Sequence, residues 1–157
     1  MEASIDLEIL TRFLDAANKS TYANKNAPKA PSTRLKSEDY HFEQGNLMYH
    51  DTYFGGRDFI GGEIVYKDSK PVWGLNYYGY VLDPSASEKD IYDFLRKALM
   101  QPYRDIIPVR GPLSYQDGAW LYQNRADGQL DRFFGTEVIS KDSKELYRCQ
   151  YHGGFIG

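Results

Sequence analysis

The sequence predicts an α+β fold: two tandem units, each a helix followed by an antiparallel meander (αβββ-like), related by a pseudo-twofold and packed as one domain with helices on sheet. Three observations predict it. The first is internal repetition. When the chain is slid along itself so that Glu63 falls on Glu137, Phe59 meets Phe133, Gly61 meets Gly135 and Tyr77 meets Tyr151, and the Lys-Asp-Ser-Lys of residues 67–70 returns unchanged at 141–144. Self-similarity at a fixed offset is the mark of a duplicated structural unit. The second is an apolar stripe at helical spacing near the start of each unit, and the third is the set of alternating runs, closed by turn residues, that follows it. The expected units are residues 4–82 and 87–156 of one domain spanning 1–157.

The first helix is expected over 4–20. Ile5, Ile9, Leu10, Phe13, Leu14 and Ala17 make its stripe, Ser4 is placed to cap it, and Asp6 and Glu8 favour the positive end of the dipole. In the second unit Ser87 is the cap, with Asp90 three residues on. Ile91, Phe94, Leu95, Ala98 and Leu99 form the stripe, and Pro102 ends the helix. The register of residues 12–22 with 93–103 brings Tyr22 onto Tyr103.

Three strand blocks are expected after each helix. In the first unit they are 40–42 with 47–52, then 59–66, then 71–81; in the second, 113–116 with 120–124, then 132–140, then 145–156. Glu-Gln-Gly-Asn, Gln-Asp-Gly-Ala and the two Lys-Asp-Ser-Lys runs supply turn chemistry, so both Lys-Asp-Ser-Lys runs are expected to be solvated hairpin tips. The units differ in two places. Residues 22–37, rich in Ala, Asn, Pro, Ser and Lys, form a long basic surface loop expected to be mobile, as a lid, an anion-contacting arm or a tolerated insertion. The glycines of 55–62 mark a bulge or a close backbone approach, because their spacing and context are not those of a phosphate loop.

Composition narrows the function. Fourteen tyrosines and a 15% aromatic share point to half-buried sheet faces or pocket walls. A net charge of −3 argues against a polyanion partner, so nucleic acid is not expected. No apolar run approaches bilayer length, and the N-terminus lacks a basic start followed by an apolar stretch, so the expected location is the cytoplasm of a bacterium. Cys149 is the lone cysteine, which excludes an intramolecular disulfide and leaves a plain buried thiol as the simplest role. His41, His50 and His152 have no metal-ligand spacing, so neither a metal nor a cofactor is expected.

Glu63 and Glu137 are the candidate functional carboxylates, each set inside an apolar strand at matching places in the two units. If the units pack about a twofold, both approach one cleft. Tyr22, Tyr53, Trp73, Tyr77, Tyr147 and Tyr151 would line it, and the two glutamates would anchor a cationic or aromatic small molecule. Two alternatives stand beside this non-enzymatic reading: a small hydrolase using Glu63 or Glu137 as general base, and an association module, such as a homodimer, using a Tyr-rich face.

The stretches "FLDAANKSTYAN", "YFGGRDFIGGEIVYKDSKPVWGLNYYGYV" and "YRCQYHGGFIG" resemble an uncharacterised bacterial family, domain of unknown function 5680, whose members occur alone or behind helix-turn-helix domains of the Xre type. That resemblance implies ligand sensing or association and supplies no catalytic residues. In outline the plan is also similar to the small-molecule-binding domains of the gyrase-inhibitor-like superfamily, which bind ligands in an aromatic cleft between two repeats, often with a central glutamate.

Overall fold

Eight strands and two helices make up the described residues, 5–102 and 110–157, of a computed structural model. Helix α1 (Leu7–Ser20) leads into strands β1 (Glu38–Gln44), β2 (Leu47–Gly55), β3 (Phe59–Lys67) and β4 (Lys70–Val81). Helix α2 (Glu88–Leu99) leads into β5 (Ser114–Asp117), β6 (Trp120–Gln129), β7 (Arg132–Lys141) and β8 (Lys144–Phe155). The α+β class is as expected. The first strand block of each half is two full strands, so four strands follow each helix and the αβββ-like plan is one strand short.

All eight strands join one antiparallel sheet in the order β1-β2-β3-β4-β8-β7-β6-β5. Two four-strand meanders therefore meet at their last strands, where Tyr77 pairs with Tyr151. The Lys-Asp-Ser-Lys runs are two-residue hairpins. Asp68 and Ser69 have φ of 50° and 65°, and Asp142 and Ser143 have 50° and 63°, the left-handed pair that matches the twist of the flanking strands.

Helix α1 is capped by Asp6, whose side chain accepts from the N–H groups of Glu8 (2.9 Å) and Ile9 (3.1 Å). Asp6 thus takes the cap expected of Ser4, which lies outside the described residues, as does Tyr103. Leu10, Phe13, Leu14 and Ala17 are buried as expected, while Ile9 points outward at 54% exposure. Helix α2 keeps the expected Ser87 cap, and its whole expected stripe is buried.

Both helices pack on one face of the sheet. Between them and the sheet lies an apolar core that includes Val65, Trp73, Leu75, Ile139 and Tyr147. The other face carries exposed Ile60, Tyr78 and Phe134 above an open trough. Of the loop expected to be mobile, residues 30–37 are tied down by Asp39. Its carboxylate accepts from Ser37 Oγ (2.5 Å), Thr33 Oγ1 (2.6 Å) and Thr52 Oγ1 (2.9 Å), and Ala30 N–H donates to its carbonyl (2.8 Å).

Candidate functional site

The site begins with a glycine. Strand alternation turns Asp51, Gly61, Glu63 and Tyr77 toward the helices, and Gly61 lies directly across from Tyr77. A Cβ on Gly61 would stand 2.6 Å from the Tyr77 hydroxyl oxygen, so only glycine lets that phenol lie across β3 toward β2. There Tyr77 Oη donates to Asp51 Oδ1 at 2.6 Å. Asp51 is in turn the cross-strand partner of Glu63. One stacked layer therefore brings a phenol and two carboxyls together.

This layer is the floor of a cavity of about 170 Å³. Tyr49, Asp51, Glu63 and Tyr77 come from the sheet below, and Arg110 enters beside them. Tyr53 and Phe59 form aromatic walls, with Tyr22 and Ala23 from the end of α1 and Tyr92, Arg96 and Leu99 from α2 above. The rim is made by exposed Gly55, Gly56 and Glu88, so the mouth lies between the β2–β3 hairpin and the start of α2. The Arg96 guanidinium stacks on Tyr22 at 4.3 Å and fixes that wall.

The floor is electrostatically tense. Glu63 is 3% exposed. Burial, reinforced by the neighbouring Asp51 charge, pushes its pKa up to about 8, against the opposing pull of Arg110 and a hydrogen bond with Tyr49. Burial also pushes Asp51 up to about 6, with the Tyr77 hydrogen bond opposing. Two buried carboxyls side by side cannot both ionise cheaply. Glu63 Oε2 has no hydrogen-bond partner among the described residues, and neither has Arg110 Nε.

The second half carries the same layer, differently finished. Gly135 lies across from Tyr151, and a Cβ there would stand 2.3 Å from the Tyr151 oxygen. Tyr151 Oη donates to Asn124 Oδ1 at 2.6 Å, and Asn124 is the cross-strand partner of Glu137. Glu137, however, is saturated. It pairs with the Arg110 guanidinium and accepts from Tyr122 Oη (2.6 Å) and Tyr147 Oη (2.9 Å). The segment after Arg110 completes the closure: Gly111 N–H donates to Tyr122 Oη, and Asn124 Nδ2 donates to the Gly111 carbonyl, both at 3.0 Å. The chain itself fills this half.

Of the eight expected site residues, Tyr22, Tyr53, Glu63 and Tyr77 line the cavity. Trp73, Glu137, Tyr147 and Tyr151 do not; they are packed in the core beside it. Trp73 Nε1 donates to the Leu130 carbonyl at 2.9 Å, and its ring stacks on Phe133. The two glutamates therefore do not face one hollow together. Asp51, Tyr92, Arg96 and Arg110 were missed. Asp51 had a signal, since it shares the inward parity of Tyr49 and Tyr53 along β2. Arg110 had none, because it sits in an aperiodic segment.

The other singled-out residues lie elsewhere. His50 Nε2 is 2.6 Å from Asp39 Oδ2, His41 Nε2 is 2.9 Å from Glu43 Oε1, and His152 is exposed. Among the described residues no group of His, Cys, Asp and Glu is placed to hold a metal ion. Cys149 is buried, and burial pushes its thiol up to about 12. Among the described residues no helix is long and apolar enough to cross a membrane.

A family model described as a domain of unknown function, DUF5680, matches residues 51–156, more than half of the chain. The matched span holds Asp51, Glu63, Tyr77 and Arg110 and begins after α1 and Tyr49. No curated protein and no solved structure matches the chain.

Proposed function

The chain belongs to the DUF5680 family of domains of unknown function, and we propose that it is a non-enzymatic binding domain whose cavity takes a small cationic aromatic molecule. The observation that carries this reading is the unpartnered Glu63 Oε2, a polar atom 3% exposed as part of its residue, on the floor of an aromatic-walled cavity. A buried polar atom left unpaired costs about 1–3 kcal/mol, which a ligand donor would recover. The cavity walls come from both halves, α1 and β2–β4 on one side and α2 with Arg110 on the other.

The same proposal includes duplication of an ancestral helix-plus-four-strand unit. The recurring Gly–Tyr–Asx–Glu layer, Gly61-Tyr77-Asp51-Glu63 and Gly135-Tyr151-Asn124-Glu137, supports it, as do the matching hairpin turns. On that reading one copy became closed by Arg110 and the other stayed open for a ligand.

A thermal-shift screen of one-ring aromatic amines and amidines tests it. A compound at 100 times its dissociation constant adds roughly 2.7 kcal/mol of stability. Compounds that stabilise the wild type but not Glu63→Gln support the proposal. A library in which every compound acts equally on both proteins overturns it.

A second reading, a hydrolase with Glu63 as general base, is favoured by the raised Glu63 pKa, since bases near neutrality are made this way. It requires turnover of an ester or amide that Glu63→Gln abolishes at unchanged fold stability.

A further inference from the structure

The second half displays the kind of group that completes this layer. Glu137 is met by a guanidinium and by two phenols, and nothing about its side chain is left open. Glu63 occupies the corresponding place in the first half, across from Asp51 as Glu137 is across from Asn124. Among the described residues, two of the donors that serve Glu137 have no equivalent at Glu63. Trp73 stands where Tyr147 would be, and its one donor is spent on the Leu130 carbonyl. Arg110 lines the cavity together with Glu63 but gives its hydrogen bond to Glu137.

Charge points the same way. Among the described residues, Asp51, Glu63 and Glu137 are three buried carboxyls beside one buried guanidinium, that of Arg110, whose hydrogen bond goes to Glu137, while the half-buried Arg96 of the cavity wall lies over the Tyr22 ring. An anionic ligand would add to the carboxyls. A neutral ligand would leave Asp51 and Glu63 sharing a proton. An ammonium would neutralise a charge, but a point donor does not match the flat edge of a carboxylate as a planar fork of N–H groups does.

We infer that the ligand carries a planar amidinium or guanidinium on a single ring, with the fork on the Glu63 carboxylate, whose Oε2 is unpartnered, and the ring between Tyr53, Phe59 and Tyr92. This inference rests on the cavity being a ligand site. The size agrees: a cavity of roughly 150 Å³ takes a benzene ring, and this one measures about 170 Å³.

The test is a matched series on the full chain at pH 7 by titration calorimetry: benzamidine, its neutral isostere benzamide, benzylamine and toluene. The expected result is that benzamidine binds at least about tenfold more tightly than each of the others, as a charge-assisted two-point contact requires, and that Glu63→Gln removes the difference. Benzamide or benzylamine binding as tightly as benzamidine overturns the inference and leaves the cavity reading standing. If none of the four binds and no other one-ring compound does, the cavity reading itself fails. The wild-type series decides the matter should Glu63→Gln not fold.

Discussion

Asp51 and Glu63 lie directly opposite each other on β2 and β3, so two carboxyls share the floor of one buried cavity. In the second half the equivalent pair is Asn124 and Glu137, and its single carboxyl has an arginine of its own. That difference sets what each half is expected to do when perturbed.

Glu63→Gln is expected to stabilise the protein increasingly as pH rises. Burial and Asp51 raise the folded pKa of Glu63 from 4.5 to about 8. Between those values the folded state holds more protons than the unfolded one, so wild-type stability falls as pH rises through the window. The variant lacks this loss. Urea unfolding at pH 5 and pH 8 should show little difference at pH 5 and a gain on the order of 2 kcal/mol at pH 8. A gain independent of pH contradicts the assignment.

Glu137→Gln should behave oppositely. It leaves the Arg110 guanidinium, 6% exposed as a residue, without its counter-ion. Removing one partner of a buried pair costs about 3–5 kcal/mol. The loss, read by urea unfolding at neutral pH, should far exceed any loss from Glu63→Gln.

Gly61→Ala and Gly135→Ala should each destabilise by about 1–3 kcal/mol through overpacking. The new Cβ would lie 2.6 Å from the Tyr77 oxygen in one case and 2.3 Å from the Tyr151 oxygen in the other. Only Gly61→Ala, by moving Tyr77 off Asp51, should also change ligand binding. Paired unfolding and binding measurements check both halves of this statement.

Asp39→Ala should release residues 30–37. Burial works against the Asp39 charge, but hydrogen bonds from Ser37, Thr33, His50 and Thr52 hold its pKa below the usual carboxylate range. A depressed pKa contributes stability that is present above the unfolded value near 4 and is lost as pH falls further. Amide exchange of this segment should accelerate in the variant, with a global cost of about 2 kcal/mol.

Much of the fold was legible because its signals are local. Period-3.6 stripes found both helices, and the Asp-Ser and Gly turns found four hairpins. The α1 cap was misplaced because Ser4 and Asp6 are both competent caps, and only the backbone direction chooses between them. Ile9 was counted as core because the stripe is wider than the surface α1 covers. For the site, the repeat and the apolar strand context singled out Glu63 and Tyr77, and both are buried on β3 and β4. What these signals could not reveal is occupancy. Arg110 reaches Glu137 from an aperiodic stretch of chain, and Trp73 lacks the hydroxyl that Tyr147 gives to Glu137, an absence that matters only because Glu63 Oε2 is left without a donor.

The most direct measurement is a titration of the full chain, labelled with 13C in its tyrosine rings, with benzamidine. The expected result is saturable shifts of Tyr22, Tyr53, Tyr77 and Tyr92, with exposed Tyr78 unmoved. Shifts confined to Tyr78 and its neighbours on the helix-free face, or shifts unchanged by Glu63→Gln, would contradict a ligand seated on Glu63.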